Sequence, residues 1–255
     1  MIKFEHTEVF GWEASTRGLR NPLNSWDKSD SSFKKDYLLN NQLTEITVPR
    51  LYIGKNDISL MKRLRKAGTD HRKYLRMIVV YVDITAPLYW WKEFDTYKVG
   101  TVANSCSTMH KIHAKEFTLD DFSHEHLIDD EDYTSYKGEW ITPKEILEDI
   151  IVPTLNELRE AYIETKNKEL WWQMIQLLPS SYNQKRTVML NYEVLNNIYK
   201  SRNNHKLDEW SENIIEVDGV EFTNKWLNDE MYMGFCDWIK ALPYAKELIT
   251  DGENV

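Results

Sequence analysis

The stretch Asp83-Ile-Thr-Ala-Pro-Leu-Tyr-Trp-Trp-Lys-Glu-Phe-Asp-Thr-Tyr-Lys-Val-Gly-Thr-Val-Ala-Asn-Ser-Cys-Ser-Thr-Met109 decides how this chain folds. Met77 to Ile84 is an almost unbroken apolar run, which predicts a buried strand ending around Asp83, Thr85 and Pro87. The strand empties into a segment that sets Lys, Thr, Asn, Ser and Cys donors between large aromatics. Burying such a mixture for packing alone is costly. A small anionic ligand is what converging donors of this kind suit.

Outward from that segment the chain falls into four stretches with no repeat and no low-complexity run. Ile2 to His6 is strand-like, and a short helix is expected around Trp12 to Leu19. Arg20 to Ser32 has turn composition and, carrying Trp26, is read as an ordered loop. Asp57 is the expected N-cap of a helix to Lys66, with Ile58, Leu60, Met61 and Leu64 at helical spacing and Gly68 as its stop. A helical turn from His71 to Leu75 feeds the strand. Residues 118–140 are acidic and loop-like. Pro143 opens a long helix to about Lys168 that Pro153 bends or splits. Further helices are expected near Leu170 to Leu178, Arg186 to Lys200 and Asn228 to Leu242. Asp218-Gly219, inside Ile214 to Phe222, is the signature of a two-residue hairpin. A strand-rich half followed by helices indicates α+β, here as one domain over 1–255 with the acidic loop 118–140 and the hairpin 213–223 as insertions.

Composition narrows the function. At 255 residues and 42% hydrophobic the chain can bury a sizeable core. No segment reaches the apolar length of a membrane span, and the N-terminus lacks a signal peptide's apolar region, so a cytoplasmic protein is expected. Two cysteines, Cys106 and Cys236, are too few for a disulfide framework and fit a reducing compartment. A formal charge of −9 argues against a nucleic-acid polymer as partner, while leaving room for a local basic pocket. The 10 Trp and 14 Tyr point to stacking surfaces or oligomer interfaces beyond core needs. His124-x-His126 with Asp129 to Asp132 holds metal-capable donors, but a solvated acidic loop is the reading favoured and no metal is expected.

Two segments, Ala86 to Met109 and Leu178-Pro179 to Trp210, resemble the flavin-dependent thymidylate synthase family, in the family's order. The family motif Arg-His-Arg, two residues, Ser, one residue, Asn-Glu, one residue, Ser, one residue, Arg falls here on Thr96-Tyr97-Lys98, Val99-Gly100, Thr101 and then, with one residue extra, Asn104-Ser105, Cys106, Ser107, Thr108, Met109. The second segment offers Leu178-Pro179, Asn191, Arg202, His205 and Asp208-Glu209-Trp210. Departures are specific. One cation, Lys98, stands for the triplet; Met109 replaces the terminal Arg and cannot supply its bidentate fork. Glu93 replaces a Gln, and its charge repels a phosphate unless paired.

The resemblance implies a central antiparallel or mixed sheet with a helical C-terminal half, in a homotetramer or dimer with active sites between subunits. It implies FAD and dUMP as ligands and a folate as one-carbon donor. Asn104, Ser105, Ser107, Arg202 and Lys98 would hold the nucleotide, and Thr101, Asn191 and His205 would contact the flavin. No catalytic side chain is singled out. Each position also has a plainer role: Thr101 to Ser107 as a turn whose hydroxyls satisfy local backbone, Arg202 and His205 as a solvated helix end, Trp90 and Trp91 as core. Two functions follow: a flavin-dependent, thymidylate synthase-like enzyme modifying a deoxyuridine nucleotide, or a nucleotide-binding protein on the same fold that senses or sequesters its ligand without redox chemistry. A purely structural oligomer is the third.

Overall fold

The computed structural model describes residues 2–39, 45–129, 134–136, 138–211, 214–217, 220–223, 226–227, 230–231 and 233–250; side chains are described outside 34–50, 130–137, 139 and 212–232. In chain order the elements are β1 (Lys3–Phe10), α1 (Trp12–Arg20), β2 (Ser32–Leu39), β3 (Glu45–Tyr52), α2 (Lys55–Lys66), β4 (Val79–Pro87), α3 (Leu88–Phe94), β5 (Val102–Ser105) and α4 (Thr108–Lys111). There follow β6 (Thr134–Tyr136), β7 (Glu139–Ile141), α5 (Pro143–Glu145), a π-helical stretch (Ile146–Ile151), α6 (Val152–Thr165), α7 (Lys168–Leu177), β8 (Asn183–Asn191) and α8 (Tyr192–Arg202). The hairpins β9 (Ile214–Val217) with β10 (Val220–Thr223), and β11 (Trp226–Leu227) with β12 (Glu230–Met231), precede α9 (Phe235–Ala241).

The central sheet runs β1-β4-β8-β5, and every neighbouring pair is antiparallel. β4 and β8 pair over their whole length, from Val79 opposite Asn191 to Pro87 opposite Asn183. Val80, Val82, Ile84 and Ala86 of β4 face the core with Val188 and Leu190 of β8, while Tyr81 on the opposite face of β4 is exposed. The apolar run is therefore buried on one face only, as an antiparallel sheet permits. This sheet corrects the helix expected over Arg186 to Lys200. Val188 and Leu190 are two apart, the strand period, and the helix starts only at Tyr192, where the Asn191 side chain caps it by accepting from Glu193 N and Val194 N at 3.1 Å.

Helices cover the inner face. Trp90, Trp91 and Phe94 of α3 pack with Trp210 and Phe235, the Trp90 and Trp210 rings 4.7 Å apart, all at most 2% exposed. Trp90 and Trp91 are thus core residues. Each ring buried this way contributes about 1.5–3 kcal/mol from water exclusion alone. A second apolar cluster, Ile112, Phe117, Phe122, Leu147, Leu155 and Met174, sits under α6 and α7. The long helix after Pro143 is continued rather than split by Pro153: a π-helical stretch precedes the proline, and Thr142 closes a capping box with Glu145 at its start.

Two boundaries differ from expectation. α2 begins at Lys55, not Asp57, because another residue does the capping: Asp30 Oδ2 accepts from Asn56 N at 3.0 Å and Oδ1 from Asp57 N at 3.2 Å. Asp57 itself is fully buried against Arg20. The last helix begins at Phe235, since Trp226–Leu227 pairs with Glu230–Met231 as strands. The hairpin register, Val217 opposite Val220, is as expected, although Asp218-Gly219 itself lies outside the described residues, as do Asp130 to Asp132 of the acidic loop. Among the described residues no helix is long and apolar enough to cross a membrane, and no group of three His, Cys, Asp or Glu is placed to hold a metal.

Candidate functional site

Inserting β8 between β4 and β5 places Tyr182 to Lys185 against the polar segment that follows β5. Cys106 N donates to Lys185 O at 2.9 Å, and Gln184 Nε2 donates to Cys106 O at 2.8 Å. These bonds fix Cys106 and Ser107 at the mouth of a cleft of about 270 Å³, lined also by Thr85, Lys115, Asp121, Tyr182 and Lys185. Ser107 Oγ accepts from His110 N at 3.0 Å, which leaves its own O–H free to donate to a ligand.

The cleft holds two cations, both already paired. Lys185 Nζ lies 2.8 Å from Glu5 Oε2 and 3.4 Å from Asp83 Oδ2, and Lys115 is paired with Asp121. The hydrogen bond to Glu5 and its charge raise the Lys185 ammonium, and the same bond with the Lys185 charge lowers the Glu5 carboxyl. The hydroxyl of Thr187, donating to Asp83 Oδ1 at 2.6 Å, is the main reason the Asp83 carboxyl also lies below its ordinary value. Burial, with Asp121 and Cys106 adding to it, pushes the Tyr182 phenol up, so it remains a proton donor. Because Lys185 and Glu5 are both half-exposed, an incoming phosphate can exchange places with a carboxylate at small cost.

A different arrangement forms where α3 meets the end of α8. One oxygen, Glu93 Oε2, takes Arg202 Nη1 at 2.8 Å and Trp210 Nε1 at 2.9 Å, with His205 Nε2 at 3.3 Å. Arg202 Nε also donates to Tyr97 Oη at 3.0 Å, and its guanidinium lies 5.0 Å over the Trp210 ring. Glu93 is thus paired, and its pairing uses Arg202.

The expected site residues separate accordingly. Ser107 lines the cleft. Asn104 and Ser105 lie on β5, the exposed edge strand, opposite Thr187 and Arg186. Lys98 is exposed in the turn between α3 and β5. Asn191 caps α8, His205 Nδ1 accepts from Leu207 N at 3.2 Å, and Arg202 is held by Glu93. Thr101 Oγ1 is buried and without a partner. Sequence reading missed Lys185, Tyr182 and Arg186. Arg186 lies 4.1 Å over the Trp91 ring and 2.8 Å from Asp95. The alternation of Lys185, Thr187 and Met189 with Val188 and Leu190 was the available signal for Lys185, and the helical reading of this segment concealed it.

A flavin held through the family's triplet does not fit these side chains as they stand. Thr96 Oγ1 donates to Glu93 O at 2.7 Å, Tyr97 Oη is taken by Arg202, and Asn191 Oδ1 is spent on the helix cap. Thr101 Oγ1, by contrast, is a buried polar atom still wanting a partner.

No family model matches the chain, and no curated protein is significantly similar to it. Solved structures are. Flavin-dependent thymidylate synthase ThyX from Helicobacter pylori, complexed with FAD and dUMP, superposes with a TM-score of 0.56 at 14% identity, over 98% of this chain and 98% of that one. The fold is that of the flavin-dependent thymidylate synthases. A second structure of Helicobacter pylori ThyX with FAD and dUMP agrees, with a TM-score of 0.55 at 14% identity over 98% and 97% of the two chains. A UMP/dUMP methylase, PolB from Streptomyces cacaoi bound with 5-Br dUMP, gives 0.49 at 11% identity over 98% and 94%, too low to bear on the matter. At such identities the thymidylate synthase likeness concerns the backbone, and function rests on the side chains.

Proposed function

We propose that this chain binds a uridine-type nucleoside monophosphate in the cleft between β5, β8 and α4, and that it does so without a flavin bound through the triplet region. The carrying observation is a contrast between expected site residues: Ser107 meets Lys185 and Tyr182 in an open cleft, whereas Asn191 and His205, two of the three positions expected to contact flavin, are occupied by their own neighbours. The thymidylate synthase-like fold supports the ligand class. In this reading Lys185 trades Glu5 for the phosphate, Ser107 donates its hydroxyl to it, and Tyr182 donates from the wall. The protein then acts as a cytoplasmic nucleotide sensor or sequestering protein, working as a homo-oligomer.

One observation favours the enzymatic alternative, a flavin- and folate-dependent modification of the nucleotide: the buried, unpartnered Thr101 Oγ1 lies at the motif's first Ser position. A visible spectrum after incubation with FAD and desalting, run beside a dUMP titration by calorimetry, separates the two. The expected result is dUMP binding by a colourless protein. Flavin retained near one per subunit would establish the enzyme reading instead, and absence of dUMP and UMP binding would remove the proposed site.

A further inference from the structure

We infer a second anion site, separate from the cleft, formed between α2 and the segment that follows α1. A cavity of about 560 Å³ is lined by Arg20, Leu23, Ser25, Lys28, Asn56, Ser59, Leu60 and Arg63. Among the described residues no carboxylate lines it, although acidic residues outnumber basic ones, 41 to 32, in the chain as a whole. No residue of the nucleotide cleft contributes to it.

The walls are built, not merely charged. Asp57, fully buried, ties the segment to the helix: Arg20 Nε donates to its Oδ1 at 2.7 Å, and Ser29 Oγ, Ser31 Oγ and Asp30 N reach Oδ2 at 2.7, 2.6 and 3.2 Å. Asp30 returns the tie by capping the helix amides, so the start of α2 is already satisfied and is not the attraction. Burial pushes Asp57 up, but the hydroxyls of Ser31 and Ser29 and the Arg20 guanidinium together outweigh it and hold the carboxyl below its ordinary value. With Arg20 neutralised, the charge offered to the cavity comes from Lys28 and Arg63. Both are exposed, and neither has a carboxylate partner among the described residues.

Asn56, Ser59 and Arg63 follow one face of α2 at spacings of three and four, so their polar ends converge on one wall. Leu60 and the half-exposed Leu23 supply an apolar floor. Two uncompensated cations, hydroxyl and amide donors and an apolar patch in a preorganised hollow suit a phosphorylated small molecule bearing at least two negative charges. Its volume admits a ligand of nucleotide size, and its independence from the cleft makes it a place for a second ligand to act on the first.

Inorganic pyrophosphate, titrated into the full-length protein by calorimetry at low and physiological salt, tests this. The expected result is salt-sensitive binding that the double variant K28A/R63A weakens at least roughly tenfold, with the far-ultraviolet circular dichroism unchanged. Lys185→Ala should leave pyrophosphate binding intact while weakening dUMP, which keeps failure here distinct from failure of the nucleotide cleft. Binding unchanged in K28A/R63A, no binding in the parent, or binding lost with Lys185→Ala alone would each overturn the site.

Discussion

The Lys185 cleft and the Glu93 cluster use the same chemistry, yet they treat charge in opposite ways. Around Glu93 a single oxygen gathers an arginine, a histidine and the indole of a fully buried tryptophan, and the cation is further covered by two rings. Around Lys185 the Glu5 carboxylate is half-exposed and Asp83 less so, both are set across strands, and the ammonium opens onto a cleft. The shared acceptor resists exchange, since removing it leaves the fully buried Trp210 indole without a partner. An open arrangement exchanges partners readily. The difference teaches which basic residue is reserved for the fold and which is available to a ligand: Arg202, expected at the phosphate, belongs to the fold.

Breaking the closed cluster should have the largest effect. Glu93→Ala leaves Trp210 Nε1 and Arg202 without their acceptor and should lower unfolding stability by about 2–3 kcal/mol, read from the urea midpoint, with dUMP affinity little changed. A stable Glu93→Ala variant that binds dUMP more tightly would instead make Arg202 a masked phosphate ligand. Opening the other side, Lys185→Ala should weaken dUMP by about 2 kcal/mol, roughly thirtyfold. Its urea midpoint should barely move, because exposed ion pairs contribute little. Equal stability losses in the two variants would erase the distinction drawn between them.

Gly100 sits in the turn joining the two regions and tests whether they are mechanically independent. Its φ is +81°, and a Cβ there would stand 2.9 Å from Asn191 Nδ2 and 3.1 Å from Val194 Cγ2. Gly100→Ala should cost about 1 kcal/mol of stability through backbone strain, while dUMP affinity measured by calorimetry stays within a factor of about three. A larger loss of affinity would show that the cap of α8 positions the cleft.

Much of the fold was legible in the sequence because single segments carried it. The run Met77 to Ile84, the Trp12 helix, the paired strands β9 and β10 and the Pro143 start each follow from local pattern. What was not legible depended on residues far apart in the chain. β8 contains Gln184, Lys185, Arg186 and Thr187, polar enough to resemble a helix surface, and only pairing with β4, distant in the chain, makes it a strand. Asp57 has the look of a cap, but Asp30 takes that place from another segment. The site suffered for the same reason. Motif spacing located Ser107, whereas Lys185 reaches the cleft through the sheet, and Arg202 is diverted by Glu93, a contact between helices that no local pattern announces.

Glu5→Gln gives the smallest effect and the sharpest discrimination, because it changes a competitor and no ligand group. Glu5 holds the Lys185 ammonium in the absence of phosphate, and it is exposed on β1. Neutralising it should tighten dUMP by roughly two- to fourfold with no change in the urea midpoint. The pH dependence follows from the direction of the shifts. Lys185 lies above its ordinary value and stays charged throughout the neutral range; Glu5 and Asp83 lie below theirs, so both remain ionised until the pH falls beneath the usual carboxylate range. The carboxylate competition for Lys185 is therefore constant through the neutral range, and the ratio of Glu5→Gln to parent affinity should shrink only at acid pH as the parent carboxyl protonates. A change of the ratio at about pH 6 is expected only in step with the second ionisation of the ligand phosphate, and an unchanged affinity would mean that the phosphate does not meet Lys185 at all.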